Sequence, residues 1–297
     1  MSRPTVDPTP AGSAAGVRRL EEELVAQVGS RREARWILEH GGTAAAPELA
    51  ARRAAGEPLQ YVLGRWPFRW LDLDVDPRVL IPRPETEEVV EVALSELGRI
   101  LSRAGRRRAP CPGPVVADLG TGSGAVALSL AAEAGADHPD LEVWGTDLSP
   151  AALEVARGNL ARLSASGVVT DGRVHLVEGD WFDPLPGRLA GHLDLVVCNP
   201  PYVSEAEFPL LDPAVRDWEP RRALVAADGS DGTGGMADIE AVVGAAPGCL
   251  APGGALVVEI APGQAAASAD AARRAGFADV GTVRDLSGRI RVLVARR

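Results

Sequence analysis

The chain contains no lysine; all 31 of its Lys+Arg side chains are arginine. A Walker-type phosphate loop and a pyridoxal Schiff base each require a lysine amine, so both chemistries are excluded. Aromatic residues make up only 4% of the chain, which leaves the core to aliphatic side chains. Cysteine is equally sparse: Cys111, Cys198 and Cys249 lie far apart and are odd in number, so no disulfide framework or Cys-x-x-Cys site is implied, as expected in a reducing compartment. The four histidines, His40, His138, His175 and His192, show no metal-ligand spacing, and no metal is expected. No apolar run reaches the ~20 residues of a membrane span, and the opening "MSRPTVDPTPAGSAAG" lacks the apolar core of a signal peptide. It reads instead as a disordered leader over residues 1–16. The net charge of −10 provides no overall electrostatic footprint for a nucleic acid, so direct nucleic-acid binding is not expected. These absences describe a soluble, cytoplasmic protein with no membrane association.

What is present divides into two parts. Residues 17–66 carry helical periodicity: Leu20, Leu24 and Val28 share one face, and Ala34, Ile37 and Leu38 share another after a Gly29-Ser30 break. A third helix, from "APELAARR", is expected to end near Gly56-Glu57-Pro58, completing a small N-terminal helical domain. Residues 67–84 alternate apolar and polar side chains around Trp70, Leu71, Leu73 and Val75, giving a hairpin linker. "RPETEEVVEVALSELGRIL" opens a helix with an acidic first turn. From residue 114 strands and helices alternate, and the last two strands are joined by a Ser287-Gly288 turn. That order demands an α/β fold over 85–297: a doubly wound, mostly parallel sheet of seven strands with an antiparallel edge.

Ligands of such sheets bind beyond the carboxyl ends of the strands. At the first end, "DLGTGSG" places Asp118, Gly120, Thr121, Gly122, Ser123 and Gly124 immediately before a helix. Alternating glycines let the backbone pass close to a ligand, and the helix start supplies free N–H donors. Gly120-x-Gly122-x-x-Ala125 satisfies a dinucleotide fingerprint, with Asp147 at the second strand end on a ribose. The same loop and acid also suit S-adenosylmethionine, whose vicinal ribose hydroxyls match the two oxygens of a carboxylate. At the third strand end, Asp180 can face an exocyclic amine and Trp181 can stack on a purine.

The fourth strand, "LDLVVC", runs into Asn199-Pro200-Pro201-Tyr202. Consecutive prolines end a strand and make its last carbonyl rigid. The Asn199 side-chain oxygen and the Pro200 carbonyl together can accept both N–H bonds of a planar –NH2, while Tyr202 covers its flat face. Held in this way, a weakly nucleophilic nitrogen presents its lone pair to a methyl donor without needing a strong base.

The motifs "GEPLQYVLG", "LIPRPETE", "DLGTGSGAVALSLA", "GDWF", "NPPYV", "EPRRAL" and "RDLSGRIRV" identify the resemblance. From about residue 17 onward, the chain resembles the protein-(glutamine-N5) methyltransferases that modify peptide chain release factors. The resemblance implies a Rossmann-like, seven-stranded class I S-adenosylmethionine-dependent methyltransferase domain over 85–297, preceded by the small helical domain and the β-hairpin linker. It implies that Asp118, Gly120 to Gly124, Asp147, Asp180, Trp181 and Asn199 hold S-adenosylmethionine. Asn199, Pro200, Pro201 and Tyr202 would hold the glutamine of a release factor's Gly-Gly-Gln motif, with Asn199, Pro200 and Tyr202 catalytic. "IPRPET" (81–86) would border this site. The Asn-Pro-Pro-Tyr quartet also occurs in methyltransferases acting on adenine N6 of DNA or guanine N2 of RNA, so a nucleic-acid base is the alternative acceptor. Two segments depart from the family pattern. The stretch between His40 and Gly56 is short, and "DGSDGTGGMADI" after Ala227 inserts a glycine-rich loop that is expected to be mobile.

Overall fold

A computed structural model of the chain describes residues 14–103, 113–170 and 172–297. Most of the leader and the arginine-rich loop at 104–112, with Cys111, lie outside the described residues. Helix α1 (Ala14–Val28) begins inside the segment expected as leader, where Ala14 and Ala15 extend the helix backward. Helix α2 (Arg31–Ala54) starts on a Ser30 cap whose side chain accepts from Glu33 N. The two helices expected between residues 31 and 56 form this one element, interrupted at Gly42, whose φ of 59° breaks the spiral. Pro47 lies in the part of the helix that resumes after that break. A short α3 (Leu59–Leu63), which the sequence does not signal, starts after Pro58. Leu24, Ile37, Ala50, Leu59 and Val62 close the core of this helical cluster.

Strands β1 (Arg65–Phe68) and β2 (Leu71–Asp74) form the antiparallel hairpin, with Phe68 opposite Leu71. Arg69 at its tip has a left-handed φ of 51°. Its guanidinium binds Glu133 and Glu91, fastening the tip to α4 (Pro84–Arg103) and, after strand β3 (Val115–Leu119), to α5 (Ala125–Gly135). Strand β4 (Glu142–Asp147) leads through a Ser149 cap into α6 (Pro150–Ala165). From α6, the fully buried Asn159 holds the other end of the hairpin. Its Oδ1 accepts from Asp74 N at 2.7 Å, and its Nδ2 donates to Asp74 O and Ser123 O at 3.0 Å. The hairpin therefore fixes where residues 75–83 run across the sheet.

The remaining elements are β5 (Val174–Glu178), β6 (Leu193–Cys198), the single turn α7 (Pro213–Arg216), α8 (Ala237–Cys249), β7 (Leu250–Glu259), α9 (Ala265–Arg274), β8 (Asp279–Arg284) and β9 (Ile290–Arg296). The seven-stranded sheet has the order β5-β4-β3-β6-β7-β9-β8, with β9 antiparallel to both neighbours and the other pairings parallel. Both faces are covered, so β3 and β6 are buried along their whole length. Alternate side chains divide between two cores. Val116, Leu195 and Val257 meet α4 and α5, whereas Ala117, Val196 and Val258 meet α8 and α9. The chain direction across the sheet reverses between β3 and β6, which opens a crevice at their carboxyl ends. No helix among the described residues is long and apolar enough to cross a membrane.

Candidate active site

A cleft of about 270 Å³ opens at this reversal. It is walled by the β3, β4 and β5 ends, by Asn199 and Pro201 after β6, and by Leu80 and Pro82 from the segment that follows the hairpin. Pro220, Arg222 and Val225 close another side.

The loop after β3 is strapped to β4: Gly120 N and Thr121 N both donate to Thr146 O at 2.9 Å. At Gly122 φ is 55°, and an added Cβ would meet no protein atom within 4 Å, so the backbone there faces open space in the cleft. Gly124 instead serves packing. A Cβ there would lie 2.9 Å from Leu128 Cδ1, and the residue does not line the cleft. Asp118 is 1% exposed and works beneath the loop, where its Oδ2 accepts from Thr121 Oγ1 at 2.7 Å and from Ala127 N at 3.0 Å. Burial pushes its carboxyl up to about 7, despite those two hydrogen bonds. An acid raised in the folded state binds more protons there than when unfolded, so stability is lost as pH rises from about 3.8 to about 7. Asp118→Asn lacks that loss. In denaturant titrations the variant should gain on the native chain between pH 4 and pH 7, whereas a pH-independent difference would refute the assignment.

Asp147 ends β4 with both oxygens engaged by main chain: Oδ2 accepts from Gly122 N and Oδ1 from Ser149 N, each at 2.8 Å. Each oxygen keeps a further lone pair, which suits two vicinal hydroxyls. Burial raises this carboxyl as well, opposed by the two N–H bonds and by the positive Arg222. At the β5 end Trp181 has a φ of 38°, unusual for a large residue, and its carbonyl accepts from Thr146 Oγ1 at 2.8 Å. Its ring lies against Gly120, where a Cβ would come within 3.4 Å of the indole. Asp180 lines the cleft beside it, together with Asp238 from the first turn of α8. Burial, with Asp180 nearby, pushes the Asp238 carboxyl upward.

The Asn199–Tyr202 turn is braced from behind. Asn199 Nδ2 donates to Thr86 Oγ1 at 3.1 Å, Thr86 Oγ1 donates to Glu259 Oε2 at 2.7 Å, and Tyr202 OH donates to Glu259 Oε1 at 3.2 Å. Gln264 Nε2 donates to Tyr202 O and Gly234 O, both at 2.9 Å, tying the turn to the glycine-rich segment. That segment, expected to be mobile, is tethered further: Ser230 bonds Glu240 through its N–H and its hydroxyl, and Gly229 N donates to Thr233 O. Gly235 has a φ of 67°, and its Cα lies so close to Tyr202 that a Cβ would be 2.2 Å from the Tyr202 carbonyl oxygen. Gly235→Ala combines backbone strain with overlap, so a loss of about 3 kcal/mol in chemical-denaturation stability is expected. Unchanged stability would mean that the loop is not held against the turn.

The cleft brings together Asp118, Gly120, Thr121, Gly122, Ser123, Asp147, Asp180, Trp181, Asn199 and Pro201. Pro200 is buried, Tyr202 is half-buried, and neither lines it, nor does Gly124. Sequence reasoning missed Glu259, Gln264 and Asp238. It also missed Glu219, which accepts from Ile81 N at 3.1 Å and pairs with Arg83, so that "EPRRAL" holds "IPRPET" in place. Glu259 and Glu219 are acids at the ends of apolar or irregular stretches with no local pattern around them. "IPRPET" was expected at the border of the site, and within it Thr86 contacts Asn199. Cys198 and Cys249 are free thiols.

The family model described as the methyltransferase small domain matches residues 108–211. A release factor glutamine methyltransferase from Bordetella pertussis is 41% identical over 281 residues, covering 92% of this chain and 93% of that protein. One from Geobacter sulfurreducens is 42% identical, covering 85% of this chain and 78% of that protein. Among solved structures, a methyltransferase from Pyrococcus furiosus is 19% identical, with a TM-score of 0.47 over 76% of this chain and 88% of that one.

Proposed function

This chain belongs to the release factor glutamine methyltransferase family, and from that premise we propose that it methylates the side-chain amide nitrogen of the glutamine in the Gly-Gly-Gln motif of peptide chain release factors. The methyl donor is S-adenosylmethionine, which supplies an electrophilic sulfonium methyl. The observation that carries this reading is the Asn199 carboxamide, whose Nδ2 is committed to Thr86 so that Oδ1 is left for the cleft.

Asp147 accepts the donor's ribose hydroxyls on its remaining lone pairs, Gly120 to Ser123 leave space for the methionine portion, and Trp181 with Asp180 takes the adenine. Pro200 and Tyr202 do not line the cleft that would hold the donor, so the glutamine is placed beside it, against the Asn199–Tyr202 turn. Asn199 Oδ1 and the Pro200 carbonyl accept its two amide N–H bonds, and Tyr202 lies against its plane. In the transfer a C–N bond forms as the C–S bond breaks. The sulfonium becomes a thioether, and the nitrogen gives up one proton to water. Preorganised acceptors lower the barrier because they need no reordering as charge develops on nitrogen. The helices before residue 67, as a small domain of their own, and the hairpin linker provide a surface for the protein acceptor, and the expected compartment is the cytoplasm. A nucleic-acid base is the less favoured acceptor: the relatives are named for release factors, and the net charge of −10 opposes a phosphate backbone.

The test uses the full chain with labelled S-adenosylmethionine and either release factor, total RNA or DNA. Label should enter the release factor and vanish when its Gly-Gly-Gln glutamine is replaced. Label in nucleic acid alone would reverse the choice of acceptor.

A further inference from the structure

Glu259 ends β7 at 1% exposure, with each of its oxygens accepting a hydroxyl. A hydroxyl has one proton, and Thr86 spends its proton on Glu259 Oε2, so toward Asn199 it can only accept. The order of these bonds fixes the Asn199 carboxamide. A terminal amide fits its site almost equally well when turned by half a revolution, and the bond to Thr86 distinguishes the two orientations. Turned the other way, Asn199 would present an –NH2 to the –NH2 of the substrate, donor against donor.

We propose that Glu259 is a positioning residue for amide transfer: acting through Thr86 it holds the Asn199 oxygen toward the glutamine, and by accepting from Tyr202 it fixes the phenol beside it. This rests on the reading of the site given above. The hydrogen bonds place a hydroxyl on each Glu259 oxygen. Burial pushes this carboxyl upward, opposed by those two hydroxyls and by Arg291, and Tyr202, raised by burial and by Glu259 itself, keeps its proton to donate. Bonds in such a chain also polarise one another, which strengthens Asn199 Oδ1 as an acceptor.

An amide in place of the carboxylate brings a donor face to Thr86 or to Tyr202 and reverses one bond. In Thr86→Val, the hydroxyl that orients Asn199 is lost with little change of shape. The full-length protein is assayed with release factor for kcat and KM separately, and S-adenosylmethionine affinity is measured by calorimetry. Glu259→Gln and Thr86→Val should each lower kcat on the order of 100-fold, with donor Kd within about twofold. Thr86→Ser, which keeps the hydroxyl, should recover most of the loss, and the double variant should be no worse than the poorer single one, because both act through one path. Losses that multiply in the double variant, a kcat retained in Thr86→Val, or an equal fall in donor affinity would overturn the proposal. If Glu259→Gln does not fold, the Val-against-Ser comparison at position 86 decides alone. A native enzyme that leaves the glutamine unlabelled would instead defeat the reading of the acceptor, whereas native activity with unaffected variants defeats only the role of Glu259.

Discussion

Asn199→Ala is expected to lower kcat for release-factor methylation about a thousandfold while the Kd for S-adenosylmethionine stays within about threefold. The truncation leaves the backbone turn, because Pro200 and Pro201 still end the strand and Gln264 still holds the Tyr202 carbonyl. What disappears is one of the two acceptors that orient the acceptor nitrogen. An unoriented amide keeps its lone pair in conjugation and rarely faces the sulfonium along the line of attack. A loss confined to KM would mean that Asn199 binds glutamine without orienting it. An equal fall in donor affinity would mean that it belongs to the donor site alone.

The second large effect is expected at Asp147. Both of its oxygens accept main-chain N–H groups, one from the glycine loop and one from the start of α6. An asparagine has one acceptor oxygen, so in Asp147→Asn an –NH2 must oppose either Gly122 N or Ser149 N. The loop shifts, and the charge that strengthens hydrogen bonds to the ribose is lost. With hydrogen bonds to a charged group contributing roughly 1.5–3 kcal/mol each, donor Kd should rise about a hundredfold or more. Turnover at saturating donor should fall far less, because the acceptor clamp is intact. Calorimetry on the variant checks the first expectation and saturation kinetics the second. An unchanged Kd would remove Asp147 from the donor site.

These two residues were legible in the sequence because their signals are local. Three alternating glycines between a strand and a helix, an acid at the next strand end, and prolines after the fourth strand each follow from backbone chemistry within a few positions. The alternation of strands and helices likewise gives seven strands, and the structure arranges them around the reversal at β3 and β6. The parts that escaped depend on distance. Thr86 meets Glu259 across 173 residues of chain, Ile81 meets Glu219 across 138, and Asp74 meets Asn159 across 85. No periodicity announces such pairs, since nothing in the local sequence around either partner points to the other. Asp118 lines the cleft, and its carboxyl also holds the loop from below, a bracing contact that its place in the motif does not announce.

The central claim is that Asn199 Oδ1 and the Pro200 carbonyl orient the glutamine nitrogen toward the methyl donor. A crystal structure of the protein with S-adenosylhomocysteine and a Gly-Gly-Gln peptide tests it directly. The account predicts the glutamine amide nitrogen at about 3 Å from both oxygens, with the donor sulfur beyond it on the side away from them. A glutamine whose carboxamide oxygen faces Asn199, or one seated away from the Asn199–Tyr202 turn, would contradict it.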